Sequence, residues 1–355
     1  MDIIVQEGYQ SNLSLQKILN GILDSTDEAI SCHEDTSQIN DKIAVVIGAA
    51  NDWEIATCND LLNKQIQPII VMPSNNIETS SLCACICSDC FSAVSEITSL
   101  LIPYTKKNIV FAGINPTSSA DIIKLNGFKQ ALLFAKLDYN EENVFYSYDD
   151  MLECAKNVVA ACDRFDTVIC ANDTVAILIS SLLSNPEKYN ITGFGGMLCT
   201  KYTHPTITTI SVDYYTVGRA AVEAYNIFKK YQLKSSLYVK NRITLGQSTP
   251  LLNIDSLPQS RHAVIKSNKK LMIYKDSVFN ELDAIELILQ KADEVDIKII
   301  EMLVSGVMTQ EEIAEEVFLS LSSLKYRIKR LLNLTSINKK NEFVGLLKKY
   351  HFFDT

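Results

Sequence analysis

The stretch CACICSDC, residues 83–90, carries four of the chain's ten cysteines, a density that suits zinc ligation or thiol redox chemistry. Zinc needs sulfurs that converge on one ion at about 2.3 Å each, normally from a turn that folds a CxxC pair back on itself. A strand instead sends Cys83, Cys85 and Cys87 to one face, about 6.6 Å apart from one to the next, so neighbouring sulfurs are not expected to converge. Only Cys87 and Cys90 have chelating spacing, and no second CxxC or HxxxH completes a four-ligand set. Small buried cysteines on an internal strand, with no metal, are the simpler expectation. A metal- or thiol-responsive site within 83–90 is the alternative.

Catalysis finds no constellation in the chain. His33, His204, His262 and His351 belong to no HExxH pattern, and neither a GxSxG elbow nor a phosphate-binding GxxxxGK-S/T loop is present. The expectation is a protein that is not an enzyme and needs no cofactor. Its 47% hydrophobic and 21% charged residues are those of a globular chain, and 355 residues suit two or three domains. The apolar run IAVVIGAA (43–50) falls short of the roughly 18 residues that cross a bilayer, so no membrane span is expected. The opening MDIIVQEG lacks the basic segment and cleavage site of a signal peptide, which points to the reducing cytoplasm and free thiols. A net charge of −9 argues against coating nucleic acid by bulk charge, and leaves room for a local basic face.

The elements that must position any site alternate. Up to residue 250, short β-branched runs such as IIV (3–5), KIAVVIGA (42–49), PIIVM (68–72), CACICS (83–88), NIVFAGI (108–114), DTVICA (166–171), NITGFG (190–195) and SLYVKNRITL (236–245) read as strands. Amphipathic stretches between them, such as FSAVSEITSLL (91–101) and TVGRAAVEAYNIFKKY (216–231), read as helices. The fold class is therefore α/β with parallel sheets. The series restarts near 104–108, which predicts one lobe over about 1–103, a second over about 104–210, and a last helix returning to the first. Residues 251–292 read as a linker, with a short hairpin around Ser267 to Lys270 and then a helix. Val278, Leu282, Ile285 and Leu289 line one face of that helix, which suits either dimerisation and relay or packing on the next domain.

DTVICANDTVAILISSLLSN (166–185), ITGFGGM (191–197), PTITTI (205–210), DYYTVGRAAVEAY (213–225) and SSADIIKLNGFKQAL (118–132) together resemble the sensor domain of the LacI repressor family. The resemblance covers residues 1–250. It implies the type 1 periplasmic-binding fold: two α/β lobes, three hinge crossings and a small effector in the cleft. Open α/β sheets bind ligands at the carboxyl ends of their strands, and a cleft between two lobes lets a ligand favour closure. Asn172 occupies a sugar-contacting position of the family, and Lys124 stands where the family usually has an arginine. Gly195 and Gly196 replace acidic residues that relatives often carry, which implies a less polyhydroxylated ligand or an empty cleft. Gln6, Tyr9, Asn51 and Trp53 follow strands and are expected to line the same cleft. Trp53, the sole tryptophan, is suited equally to stacking on a ligand and to packing.

Residues 293–355 form the last unit. Gly306 ends an apolar helix, Thr309 and Glu312 have capping-box spacing, and Leu324, Ile328 and Leu331 give a third helix its inner face. Ser322, Tyr326, Lys329, Arg330 and Asn333 are expected to point outward, flanked by Lys325 and Arg327. Eight acids over 293–316 give way to eight lysines or arginines over 325–349. That layout is a helix-turn-helix whose third helix suits double-stranded DNA. The segment resembles the LuxR-type helix-turn-helix, which implies contacts from Lys325, Lys329 and Lys340, with Ser323 on the same helix. The combined expectation is a DNA-binding transcription regulator, with paired copies supplying two half-sites. A sensor that has lost its ligand and acts only as a scaffold is a further alternative.

Overall fold

A computed structural model of the chain describes residues 1–8, 13–73, 82–148, 150–252, 277–335, 337 and 339–353. The first lobe contains β1 (Asp2–Val5), α1 (Leu13–Leu23), β2 (Ser31–His33), β3 (Ile43–Ile47), α2 (Asn51–Asn63), β4 (Gln67–Val71) and β5 (Ala84–Ser88). The second contains α3 (Cys90–Leu101), β6 (Ile109–Ile114), α4 (Ser119–Phe134), β7 (Val144–Tyr146), α5 (Met151–Ala160), β8 (Thr167–Cys170), α6 (Asp173–Leu182), β9 (Asn190–Gly195) and β10 (Thr208–Ser211). The chain then returns to the first lobe with α7 (Tyr214–Tyr231) and β11 (Ser235–Val239), and to the second with β12 (Arg242–Thr244).

Two six-stranded sheets result, ordered β11-β5-β4-β3-β1-β2 and β12-β10-β9-β8-β6-β7. Among the described residues every strand pair is parallel except β10 with β12. Helices cover both faces of each sheet, so central strands such as IAVVI and IVFAGI are apolar at every position rather than at alternate ones. On one face of the first sheet, α1 and α7 cross on backbone contact. A Cβ on Gly218 would stand 2.0 Å from the Ile18 carbonyl oxygen, and one on Gly21 would stand 2.0 Å from that of Tyr215.

Three boundaries differ from the sequence reading. Helix α3 packs through Val94, Ile97 and Leu101 with Phe111 and Phe128 of the second lobe, so the lobes part at Ser88–Cys90 rather than near 103. The predicted single strand 236–245 is broken at Lys240 and Asn241, and its halves join different sheets. The second lobe therefore extends past residue 210. The break makes one of three crossings, and a hydrogen bond from Ser88 Oγ to Asn241 Oδ1 (2.7 Å) ties two of them together. The hairpin expected around Ser267 to Lys270 lies outside the described residues.

Beyond residue 276 the chain is helical: α8 (Ser277–Lys291), α9 (Glu294–Ser305), α10 (Gln310–Glu316), α11 (Leu321–Leu332) and α12 (Lys340–Lys349). Capping boxes open α9 (Asp293 with Asp296) and α10 (Thr309 with Glu312), and Gly306 closes α9 in the left-handed region at φ 68°. Ile299, Ile313, Ala314 and Leu324 form a small core of their own. A larger one is shared with the second lobe, joining Val158 and Ile179 to Val278, Leu282, Ile285, Leu289, Leu331, Leu347 and Phe352. At roughly 1.5–3 kcal/mol for each large apolar side chain buried, that shared core dominates the attachment. The stripe on α8 is thus spent on packing. The last described residues add to the anchor: Phe353 donates its N–H to the Tyr202 carbonyl (2.8 Å), and the two rings stack at 5.0 Å.

Candidate functional site: the interlobe cleft and the α11 face

The carboxyl ends of the parallel strands in both lobes border the cleft. On the first-lobe side, Gln6 follows β1 and its Oε1 accepts the N–H groups of Ala49 (2.8 Å) and Ala50 (3.1 Å). That bond fixes the turn into α2, which presents Asn51 and Trp53. The Trp53 ring lies over Gly48, where a Cβ would come within 2.6 Å of it. It also packs against the apolar cluster under α2, which leaves it half-buried. Tyr9 lies outside the described residues.

On the second-lobe side, Asn172 caps α6, its Oδ1 accepting the Val175 N–H (2.9 Å). Lys124, expected to meet a ligand, is turned inward instead. Its ammonium donates to Asp121 Oδ1 (2.9 Å) and to the Ala171 carbonyl (2.8 Å) and lies 4.4 Å from the centre of the Phe194 ring. It is a clamp beneath Asn172, because a buried ammonium must be paired. Among the described residues, two buried polar atoms around the cleft have no hydrogen-bond partner, an acceptor (Asn51 Oδ1) and a donor (Asn241 Nδ2).

Behind the cleft, three consecutive residues, Met197 to Cys199, are gripped from two sides. Asp173, fully buried at the start of α6, accepts the Thr209 hydroxyl (2.5 Å) and the Met197 N–H (2.7 Å). Burial pushes its carboxyl up to about 6, against the lowering effect of those hydrogen bonds. A Cβ on Gly193 would stand 2.1 Å from its Oδ1, so β9 needs glycine there. From the other side Glu286 of α8 accepts the N–H groups of Leu198 and Cys199, both at 2.5 Å. Sequence reasoning passes over both acids. For Glu286 a signal exists, since it falls on the apolar stripe of its helix beside Leu282 and Leu289.

Helix α11 opens with Ser320, whose side chain accepts the Ser323 N–H (3.1 Å). Ser322, Ser323, Lys325, Tyr326, Lys329 and Asn333 are exposed along it, and Lys340 is half-buried at the start of α12. A shallow groove of about 470 Å³ is lined by Leu319, Ser322, Ser323, Tyr326, Arg327 and Arg330. The two arginines depart from expectation. Arg327 pairs with Asp293 (2.7 Å) and Asp296 (2.9 Å), and Arg330 pairs with the same fully buried Asp296. They clamp α11 to α9, since that buried carboxylate needs charged partners.

One sulfur–sulfur distance on β5 also departs from expectation. All ten cysteines are free. Among the described residues no three of His, Cys, Asp and Glu are grouped to hold a metal. Yet the sulfurs of Cys85 and Cys87 lie 3.4 Å apart, because rotation about the side-chain bonds brings together sulfurs whose backbones keep strand spacing.

Residues 293–334 match the family model described as "Winged helix-turn-helix DNA-binding". The LuxR-type assignment is not what this match supports, although the described residues after α11 form α12 and no paired strands. The "HTH-type transcriptional repressor PurR" of Vibrio cholerae serotype O1 (strain M66-2) is 29% identical over 108 residues, 28% of this chain and 32% of its own. The chain thus spans about a third of the length of that curated relative. The "NTD biosynthesis operon regulator NtdR" of Bacillus subtilis (strain 168) is 26% identical over 191 residues, 50% of this chain and 55% of its own. Among solved structures, a transcription regulator from Lactobacillus plantarum superimposes with a TM-score of 0.56 at 20% identity, covering 70% of this chain and 99% of that one. A LacI family transcriptional regulator from Enterococcus faecium with bound ribose gives 0.54 at 16%, covering 71% and 100%. These likenesses establish the fold: a two-lobed α/β domain like the LacI sensor domain, followed by an all-helical helix-turn-helix region.

Proposed function

We propose that the chain is a DNA-binding transcription regulator of the LacI-like kind, in which a small polar effector in the cleft controls the placement of α11. One observation carries this reading: Asp173 beside Asn172 and Glu286 on α8 divide the N–H groups of Met197, Leu198 and Cys199 between them. A ligand that moves Asn172 or the Gly195–Gly196 backbone acts on the loop that holds α8, and α8 shares a core with α11. The unpartnered acceptor of Asn51 and donor of Asn241 suit an effector with both donor and acceptor groups. Paired copies on two half-sites fit a helix that offers few base contacts alone. No described helix is long and apolar enough to cross a membrane.

The test uses the full chain. A duplex is selected from a random pool, and binding is followed by fluorescence anisotropy with and without sugars, nucleosides and amino acids, alongside thermal melts with the same compounds. A compound that raises the melt should also shift duplex affinity. Failure to retain any duplex at low salt would sink the DNA half of the reading. A compound that raises the melt with no change in affinity would sink the coupling.

A further inference from the structure

The thiols of β5 are not used by the cleft or by α11, and two of them are adjacent. Cys85 is buried in the cluster under α2, and Cys87 is half-buried one pleat further on, at the cleft end of the strand, against the same cluster as Trp53. Their sulfurs are 3.4 Å apart and hydrogen-bonded. We propose that Cys85 and Cys87 form a modification site, a dithiol that a hydroperoxide converts into an intrastrand disulfide.

The accessible sulfur reacts first. The Cys87 thiolate attacks one oxygen of the hydroperoxide, the S–O bond forms, the O–O bond breaks, and the alkoxide leaves as the alcohol after taking a proton. Cys85 sulfur then attacks Cys87 sulfur, the S–S bond forms, the S–O bond breaks, and hydroxide leaves as water with the Cys85 proton. Two thiols lose two electrons and two protons, and the hydroperoxide becomes an alcohol and water.

Three features of the strand favour this pair over the others. The two sulfurs share one hydrogen bond in which either can donate, and Cys87 is the less buried of the two, so exposure divides the attacking and resolving roles. Burial pushes Cys58 and Cys83 up to about 12, which leaves them inert. Pairing between β4 and β5 stops at Ile86, so Cys87 is held in the sheet from the β11 side alone, by its register with Tyr238. Closing the sulfurs to about 2.05 Å requires tightening, because strand spacing of about 6.6 Å is near the upper limit for a disulfide. A strained bridge of this kind is readily reduced, which suits a reversible mark better than a structural one. Ser88, the next residue, carries the hydrogen bond to Asn241 that ties two crossings, so the tightening falls on the hinge.

The test is peptide mapping of the reduced full chain after treatment with tert-butyl hydroperoxide and alkylation of the remaining thiols. The peptide holding Cys85 and Cys87 should be two hydrogens lighter, resist alkylation, and recover with dithiothreitol. Cys58 and Cys83 should stay alkylated, and Cys90→Ser should change nothing. Cys85→Ser should leave a sulfenic acid on Cys87 that dimedone traps. A bridge to Cys90, or Cys85 and Cys87 both alkylated after oxidant has consumed other thiols, overturns the proposal. The wild-type map decides the matter even if a variant fails to fold.

Discussion

The Glu286 carboxylate accepts the backbone N–H of Cys199 at 2.5 Å, which fastens the helix leading into the helix-turn-helix region to the loop behind the cleft. Because both groups are buried, removing the carboxylate strands the N–H groups of Leu198 and Cys199 without acceptors. Glu286→Ala is therefore expected to cost about 2–4 kcal/mol, and Glu286→Gln less, since an amide oxygen still accepts one of them. Urea denaturation of the full chain measures both. Equal stability of Glu286→Ala and wild type would show that the loop is held by other means.

Asp173 gives a pH dependence whose sign is fixed by its burial. Its carboxyl titrates near 6 when folded, against an ordinary 3.8, so between those values the folded chain binds more protons than the unfolded one. Its contribution therefore favours the fold at the acid end of that window and fades as pH rises toward 6, by roughly 3 kcal/mol in all. Asp173→Asn should flatten this part of the stability curve between about pH 4 and 6, read from urea midpoints. A variant with the wild-type slope would place the titration elsewhere.

Phe352 is completely buried where the chain end meets the second lobe, and Thr203 pairs with it across an isolated bridge. Phe352→Ala is expected to cost about 3–5 kcal/mol at that junction. The loss should fall on the attachment of the helical region rather than on either sheet. Hydrogen exchange should then show faster opening of residues beyond 276 in the variant than in the wild type, with the lobes unchanged.

Lys325 and Lys329 face solvent on α11 while Arg327 and Arg330 are engaged with Asp293 and Asp296. Changing both lysines to Ala should weaken duplex binding and reduce the slope of log K against log salt by up to about 1.8, near 0.9 for each phosphate that is no longer neutralised. Asp296→Ala should act otherwise, destabilising the α9–α11 clamp by about 3 kcal/mol. If the lysine pair left the salt slope unchanged, DNA would have to meet another face.

The parallel sheets are legible in the sequence because strands covered on both faces read as continuous apolar runs, and the capping residues Thr309, Glu312 and Gly306 are legible because caps are local. What escapes the sequence is direction. Arg327 and Arg330 occupy outward or flanking positions on a helical wheel, yet their long side chains bend back to a buried carboxylate on a different helix. Backbone spacing alone keeps Cys85 and Cys87 apart, and rotation of the side chains overrides it. In SLYVKNRITL the β-branched residues run on through a break that only the two sheets impose. Resemblance fixes the position of Lys124 along the chain but not what lies beneath it.

The strands β11 and β12 complete the two sheets within residues 235–244, although each sheet begins far upstream. During vectorial synthesis, β5 and β10 therefore wait as open edges until almost the whole two-lobed domain has left the ribosome. Neither lobe can finish folding long before the other. A chain interrupted near residue 230 would present two unfinished sheets at once, so truncation there should yield an aggregating product rather than a half-sensor.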